Sequence, residues 1–464
     1  MSIRDVYMDR SGIHKRKHPL LWVICVVVAL SLVGCEVKTE PVVSNEAPED
    51  WIGKSIEMID VSALEEHLKW LSQEDAGRMA GTSGEDRTVS YLEEALASMG
   101  YAPEIQSFPF QNFEVKALSL KVQGIQGFDD GQVPSDSVHA LQYSVGTPKE
   151  GLSGELVDVG MGTEDAFSAQ EVKGKFVLIK RGGEYFYIKA MRAYQMGAIG
   201  AVFYDPEGDE PVKATLVEPS MVPGISVSTA LGLQLTQALA KNDSIQLTLS
   251  LDVSMEQVTS ENVIATLEAP GDVSKRIVIG AHYDGVDTPA ANDNGSGTAA
   301  LLELAKLALP QKERLTVDIS FVFFGAEETG LNGSTYFIST LGGSAFDDIV
   351  GMINMDMVGI GTELQLSTIN QQDQLPLAIN ALKVAEALSF PAVSYEMGRS
   401  DHVPFAESGI PSVMLAAGPV DNYHTDADTA DAIDMNMLKT QIEWVIRILN
   451  APGALGLEQQ AAFE

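Results

Sequence analysis

Between residues 60 and 100 apolar side chains recur at helical spacing: Val61, Leu64, Leu68 and Leu71, then, after the turn AGTSGEDR, Tyr91, Leu92, Leu96 and Met99. Positions three and four apart share a helix face, so the pattern predicts two amphipathic helices. From about 115 to 255 the texture changes to short β-rich segments with glycine turns, among them Phe176 to Ile179 and Ala198 to Tyr204, which predicts a separate unit. From about 260 onward strands alternate with helices: RIVIGAH, a helix over 297–309, TVDISFVFFGA, IVGMINMDM, a helix over 375–388, IPSVMLAAG and a helix over 435–449. That alternation predicts an α/β fold with a mostly parallel, mixed central sheet covered by helices on both faces. Ligands of such sheets bind beyond the carboxyl ends of the strands. His282 and Asp284, Glu327 and Glu328, and Asp356 all stand at strand ends.

The N-terminus follows a different pattern. Arg10, Lys15, Arg16 and Lys17 precede the apolar run Leu20 to Val33, which ends in LVGC. The run falls short of the roughly 20 residues of a spanning helix, so it reads as an export signal. LVGC resembles the lipobox of bacterial lipoproteins, which implies cleavage before Cys35 and a lipid on that cysteine. Residues 36–50 are polar and contain proline, as a tether would. Glu36 does not match the usual inner-membrane retention signal, so the expectation is an exported protein, lipid-anchored in the cell envelope at the outer membrane. Cys25 is the other of the two cysteines, which leaves no disulfide and no thiolate metal ligand in the mature chain. The formal net charge of −35 makes nucleic acid an unsuitable partner.

His282, Asp293, Glu328, Asp356 and His424 offer imidazole and carboxylate without thiolate, the donor set of a hydrolytic zinc site. Five ligands exceed what one tetrahedral ion with a water accepts, and suit two ions that share a carboxylate. Two adjacent glutamates at the end of the apolar run FVFF also need a use, because burying unpaired charge is costly.

HYDG at 282–285, NDNGSG at 292–297, GAEETG at 325–330, NMDMVG at 354–359 and YHTDAD at 423–428 occur in the order seen in co-catalytic zinc aminopeptidases, the clan that includes glutamate carboxypeptidase and glutaminyl cyclase. The resemblance covers roughly 60–110 and 260–450. It implies two Zn2+ per chain, with His282 and Asp356 on one ion, Glu328 and His424 on the other, and Asp293 between them through a cis Asp293-Asn294 bond. It further implies Glu327 as general base, Asp284 as the residue that orients His282, and Tyr423 as a candidate donor to the oxyanion. GRMAGTSG at 77–84 resembles the family's N-terminal helix-turn element. GRSDHVPFAESGIP at 398–411 resembles the stretch that completes its pocket, where Arg399, Asp401 and His402 could contact the peptide. GKFVLIKRGGEYFYIKAMRAYQMGAIGAVFY at 174–204 resembles a protease-associated domain, with Glu184 where many relatives carry cysteine.

The expected organisation is therefore a signal peptide over 1–34, a linker over 35–55, the first part of the peptidase domain over 56–114, a protease-associated domain over 115–255, the catalytic zinc peptidase domain over 256–452 and a tail over 453–464. The expected function is removal of N-terminal amino acids from peptides. The alternatives are a carboxypeptidase or glutaminyl-cyclase-like relative, and a non-catalytic receptor-like binding protein on the same fold. Retention of all five ligands and of Glu327 favours an enzyme.

Overall fold

Two long antiparallel strands organise the molecule. The computed structural model describes residues 51–456 and residue 462, apart from 74–76, 217–218, 242–243, 272, 389, 391 and 397; the signal peptide and Cys35 lie outside the described residues. The elements run α1 (Trp51–Glu57), α2 (Val61–Leu71), α3 (Ser83–Met99), β1 (Glu104–Gln123), β2 (Val138–Ala140), β3 (Leu152–Asp158), α4 (Glu164–Ser168), β4 (Phe176–Lys180), α5 (Phe186–Gln195), β5 (Gly200–Tyr204), β6 (Gly224–Val227), α6 (Thr229–Ala240) and β7 (Gln246–Leu267). They continue as β8 (Arg276–His282), α7 (Gly297–Ala308), β9 (Asp318–Phe324), α8 (Asn332–Thr340), α9 (Ser344–Asp347), β10 (Ile349–Met355), β11 (Glu363–Thr368), α10 (Pro376–Ala387), β12 (Ala392–Glu396), α11 (His402–Glu407), β13 (Ser412–Gly418) and α12 (Met435–Leu449). Among the described residues no helix is long and apolar enough to cross a membrane.

Strand order is β12-β11-β13-β10-β8-β9-β7-β3-β4-β5-β6-β2, with β1 paired to β7. The centre β13-β10-β8-β9 is parallel, so His282, Phe324, Met355 and Gly418 end at the same edge. β11 and β7 flank it antiparallel, which makes the sheet mixed as the alternation predicted. β7 pairs with β1 from Glu104↔Ile264 to Gln123↔Gln246. Its C-terminal half joins β9 and its N-terminal half joins β3, so one ribbon belongs to both sheets. Burial alternates along β1 in two places only: Phe108 and Phe110 face the peptidase core, and Leu120 and Val122 face the second core. The expected boundaries at 114/115 and 255/256 fall inside these strands, next to the bulge between Val115 and Ala117. The sequence shows a change of texture there because residues 114–117 in the middle of the ribbon are exposed, not because an element ends.

α7 is buried at every residue except Lys306, as an all-round apolar helix must be. Its one carboxylate, Glu303, accepts from Asp60 N (2.8 Å) and from Lys306 Nζ (3.2 Å). Gly297 opens it, and a Cβ there would lie 2.2 Å from the Met355 carbonyl, so only glycine lets the helix close on the sheet. The turn before α3 is shorter than AGTSGEDR suggests. Thr82 caps the helix by accepting from Gly84 N (3.2 Å), and Gly100 ends it in the left-handed region at φ 108°. In the inserted unit Glu184 pairs with Arg192 at 2.8 Å, so the position carries an ion pair.

Glu85, in the first turn of α3, points inward rather than to water. It accepts from Gly81 N (2.5 Å), from the Tyr283 hydroxyl (3.1 Å) and from the Ser260 hydroxyl, and is 2 % exposed. Burial pushes its carboxyl up to about 7 against those hydrogen bonds. The folded state therefore binds this proton more tightly than the unfolded chain does. Its contribution to stability is complete below about pH 4.5 and is lost as pH rises towards and through 7, on the order of 2–3 kcal/mol. Glu85→Gln mimics the protonated acid. Denaturant unfolding of both proteins from pH 5 to 8 is expected to show a flatter profile for the variant; parallel profiles would refute this account of Glu85.

Candidate metal centre

The strand ends converge as the topology requires. His282 Nε2 lies 3.3 Å from Asp293 Oδ1 and 3.3 Å from Asp356 Oδ1. His424 Nε2 lies 3.1 Å from Asp293 Oδ2 and 3.2 Å from Glu328 Oε2. Asp293 thus offers one oxygen to each imidazole. Two groups of donor atoms are close enough to hold a metal ion, His282 with Glu327 and Asp356, and His282 with Asp293 and Glu328, all atoms of a group lying within 4.8 Å of one another.

The electrostatics are those of a cation site. Burial pushes Glu327 far above the carboxylate range, and burial with Asp293 alongside raises Glu328 to about 7. Burial alone would lower both histidines, yet Glu327 and Asp356 hold His282 well above its usual value, and Asp293 and Glu328 hold His424 at about 9. Two buried atoms of ligand type, Glu328 Oε1 and His424 Nε2, make no hydrogen bond. Buried carboxylates this close together must either take up protons or share cations, and oxygen and imidazole donors without sulfur suit zinc. The residues present fit two such ions.

Backbone contacts fix the ligands. After β9 the chain turns sharply, with Ala326 at φ 54° and Leu331 at φ 58°. Asp284, fully buried, accepts from Glu327 N on one oxygen (3.0 Å) and from Glu328 N on the other (3.2 Å). Its carboxylate reaches only 3.6 Å from His282 Nδ1, whereas its own carbonyl lies at 3.2 Å. The hydrogen bonds of this side chain therefore go to the two glutamates' amides, and the imidazole is met chiefly by the main chain.

Asp428, given no role in the sequence reading, does the same on the other side. Its oxygens accept from Asn292 N (2.8 Å) and Asp293 N (3.1 Å), and its carbonyl accepts from Ala291 N (3.0 Å). The Asp293-Asn294 bond is cis. The Asn294 amide donates to Met355 O (2.9 Å) and accepts from Gly297 N (2.9 Å), which ties the loop to the strand that presents Asp356. Arg78 from the GRMAGTSG segment is 2 % exposed and donates to the carbonyls of Tyr283 (2.7 Å), Ala290 (2.8 Å), Pro289 (3.2 Å) and Leu71. A lone arginine among small turn residues, and the second acid in DADT, were the available signals for these two.

The remaining candidates separate. Tyr423 is half exposed and stacks on the His424 ring, centroids 3.8 Å apart at 20°. Arg399 is exposed. Asp401 and His402 are fully buried, as His282 is. Asp401 faces His282, Asp284 and Asp356 from within the protein, and burial lifts its carboxyl to about 7.

Residues 262–449 match the model of peptidase family M28, and residues 152–235 match the PA domain. The chain is 28% identical over 480 residues, 91% of each chain, to the probable lipoprotein aminopeptidase LpqL of Mycobacterium tuberculosis. It superposes on the aminopeptidase from Aneurinibacillus sp. strain AM-1 with a TM-score of 0.78 at 29% identity, covering 89% of this chain and 97% of that one. BSAP, a zinc aminopeptidase from Bacillus subtilis, gives a TM-score of 0.65 at 27% identity, with 84% of this chain and 95% of that one covered. Five motifs in order, a carboxylate shared between two imidazoles and likeness along nearly the whole chain converge on a zinc-dependent exopeptidase of the M28 aminopeptidase type, the M28 match lying on residues 262–449, with a PA domain between β1 and β7.

Proposed function

We propose that Glu327 is the general base of this exopeptidase, that His282 and Asp356 hold one zinc, Glu328 and His424 the other, and that Asp293 bridges them. The observation that carries this reading is the division of the Asp293 oxygens, Oδ1 towards His282 and Oδ2 towards His424. When bound, the two ions lower the pKa of a shared water and polarise the peptide carbonyl. Glu327 takes the water's proton on its carboxylate and passes it to the leaving amine. Asp284 keeps Glu327 and Glu328 on diverging paths by holding both amides. The Tyr423 hydroxyl donates to the oxygen of the tetrahedral intermediate, and its ring steadies His424. Arg399 borders the peptide, while Asp401 and His402 support the site from behind.

Two substitutions test the division of labour. Glu327→Gln is expected to keep two zinc ions and substrate affinity while turnover falls by about 10²–10⁴-fold, because an amide of the same shape cannot take a proton. Glu328→Gln is expected to weaken one metal site, with partial rescue by added zinc. Zinc stoichiometry measured beside rate decides; reversal of the two patterns would exchange the roles, and full activity in both would end the catalytic assignment.

The reading of the free amine is tested separately. A panel of peptides with free and acetylated N-termini is expected to be cleaved only when the amine is free. Equal turnover of both would favour a carboxypeptidase, and release of pyroglutamyl products would favour a cyclase.

The chain is exported and tethered through a lipid on Cys35, in a cell envelope where it meets its peptides. The support is LVGC at 32–35 together with likeness to a relative named as a probable lipoprotein. Cys35→Ala is expected to abolish globomycin-sensitive processing and membrane association in fractionated cells; a soluble product cut elsewhere would overturn the tether.

A further inference from the structure

The inserted unit touches the catalytic loop directly. The Tyr143 hydroxyl donates to the carbonyl of Thr329 at 2.8 Å, two residues beyond Glu327. Tyr143 belongs to the insert's own core, where it is 5 % exposed and packs with Val177, Ile179 and Phe203. Its backbone is fixed there as well. Ser220 N donates to its carbonyl at 2.9 Å, the neighbouring Gln142 exchanges hydrogen bonds with Ala214 and Leu216, and φ at Tyr143 is 64°, a conformation a tyrosine adopts only where its surroundings enforce it.

The receiving loop depends on its ties. Residues 326–332 close on themselves through Gly330 N and Leu331 N, which donate to Glu327 O at 2.8 and 2.9 Å. Asn332 Nδ2 reaches the same Thr329 carbonyl at 3.1 Å. On the opposite side the loop is held by Asp284 through the amides of Glu327 and Glu328. The two glutamates thus lie between a tie from the peptidase sheet and a tie from the insert. Because Ala326 and Leu331 both stand in the left-handed region, loss of one tie lets the loop relax around the other.

We propose that Tyr143 is a positioning residue for Glu327 and Glu328, through which the PA domain sets the rate of peptide hydrolysis. The inference rests on the roles given to the two glutamates above. Tyr143→Phe keeps the ring and its packing and removes only the hydroxyl. The expected result is a fall in kcat of about tenfold, since small misplacements of a catalytic group cost up to roughly 10²-fold. KM for a short free-amine peptide is expected to stay within about twofold. In calorimetric titration of the chelated protein, the weaker zinc site is expected to loosen by about tenfold, the scale seen when groups that orient metal ligands are removed.

Tyr101→Phe is the control. Its hydroxyl donates to Ala305 O at 2.8 Å in the helical core and is as buried, so both variants lose a buried tyrosine-to-carbonyl hydrogen bond while only one of them touches the loop. Asn332→Ala, which removes the second donor to the Thr329 carbonyl, is expected to shift kcat in the same direction as Tyr143→Phe. If Tyr143 acts through Glu327, adding Tyr143→Phe to Glu327→Gln costs little further rate. Unchanged kcat and zinc affinity in Tyr143→Phe, or an equal loss in Tyr101→Phe, overturns the inference. Equal losses with and without Glu327 also overturn it. Retained turnover in Glu327→Gln alone would instead overturn the assignment of the base, so the two failures are distinguishable.

Discussion

Two carboxylates each hold two consecutive backbone amides, and the ligand geometry depends on those four hydrogen bonds. Asp284 receives Glu327 N and Glu328 N; Asp428 receives Asn292 N and Asp293 N. Each orienting aspartate sits on the segment that supplies a histidine, two residues after His282 and four after His424. Each holds a loop that carries candidate metal-binding carboxylates, Glu327 and Glu328 in one case and Asp293 in the other. The histidine segments and the carboxylate loops are therefore cross-linked in pairs, and a shift of either imidazole carries the opposing carboxylates with it. Hydrogen bonds to an ionised acceptor are roughly twice as strong as neutral ones, and a ligand fixed by its main chain keeps its side-chain oxygens for the ion. Arg78 completes the frame by binding the carbonyls on both flanks of this arrangement, at Tyr283 and at Pro289 and Ala290.

The β1–β7 ribbon places a second core next to that frame. A short linker would leave a PA domain free to move, whereas a ribbon whose halves are hydrogen-bonded to β9 and to β3 transmits position from one sheet to the other. The described residues accordingly cluster as one unit in spite of their separate cores. A contact as small as one tyrosine hydroxyl can matter in such an assembly, because the ring that carries it is buried in the insert's core.

The sequence revealed those parts that act through side-chain pattern. Helical spacing located α2 and α3, alternation located the parallel strands, and residues of unlike type at strand ends marked His282, Glu327, Glu328 and Asp356. Parts that act through the main chain were hidden. Asp428 and Arg78 bind backbone groups, which every residue possesses, so nothing in the sequence of their partners announces them. The ribbon was hidden because residues 114–117 in its middle are all exposed and lose the alternation that identifies a strand. The motif around Asp401 and His402 shows residue type and not depth, so their full burial was not legible. Tyr143 was invisible for a related reason: its partner is a carbonyl 186 positions away.

Charge balance links this frame to the choice of substrate end. Two divalent cations neutralise four carboxylates, which accounts for Asp293, Asp356, Glu327 and Glu328. Asp284, Asp401 and Asp428 are also buried, and the buried Arg78 faces Asp284 and Asp428. With two cations taken up by those four carboxylates, the centre still lies inside a protein whose formal net charge is −35. A peptide amine carries the opposite sign and a peptide carboxylate the same one, so the field draws the N-terminus inward and repels the C-terminus. The same frame that holds two cations therefore leaves room, electrostatically, for a third that arrives with the substrate.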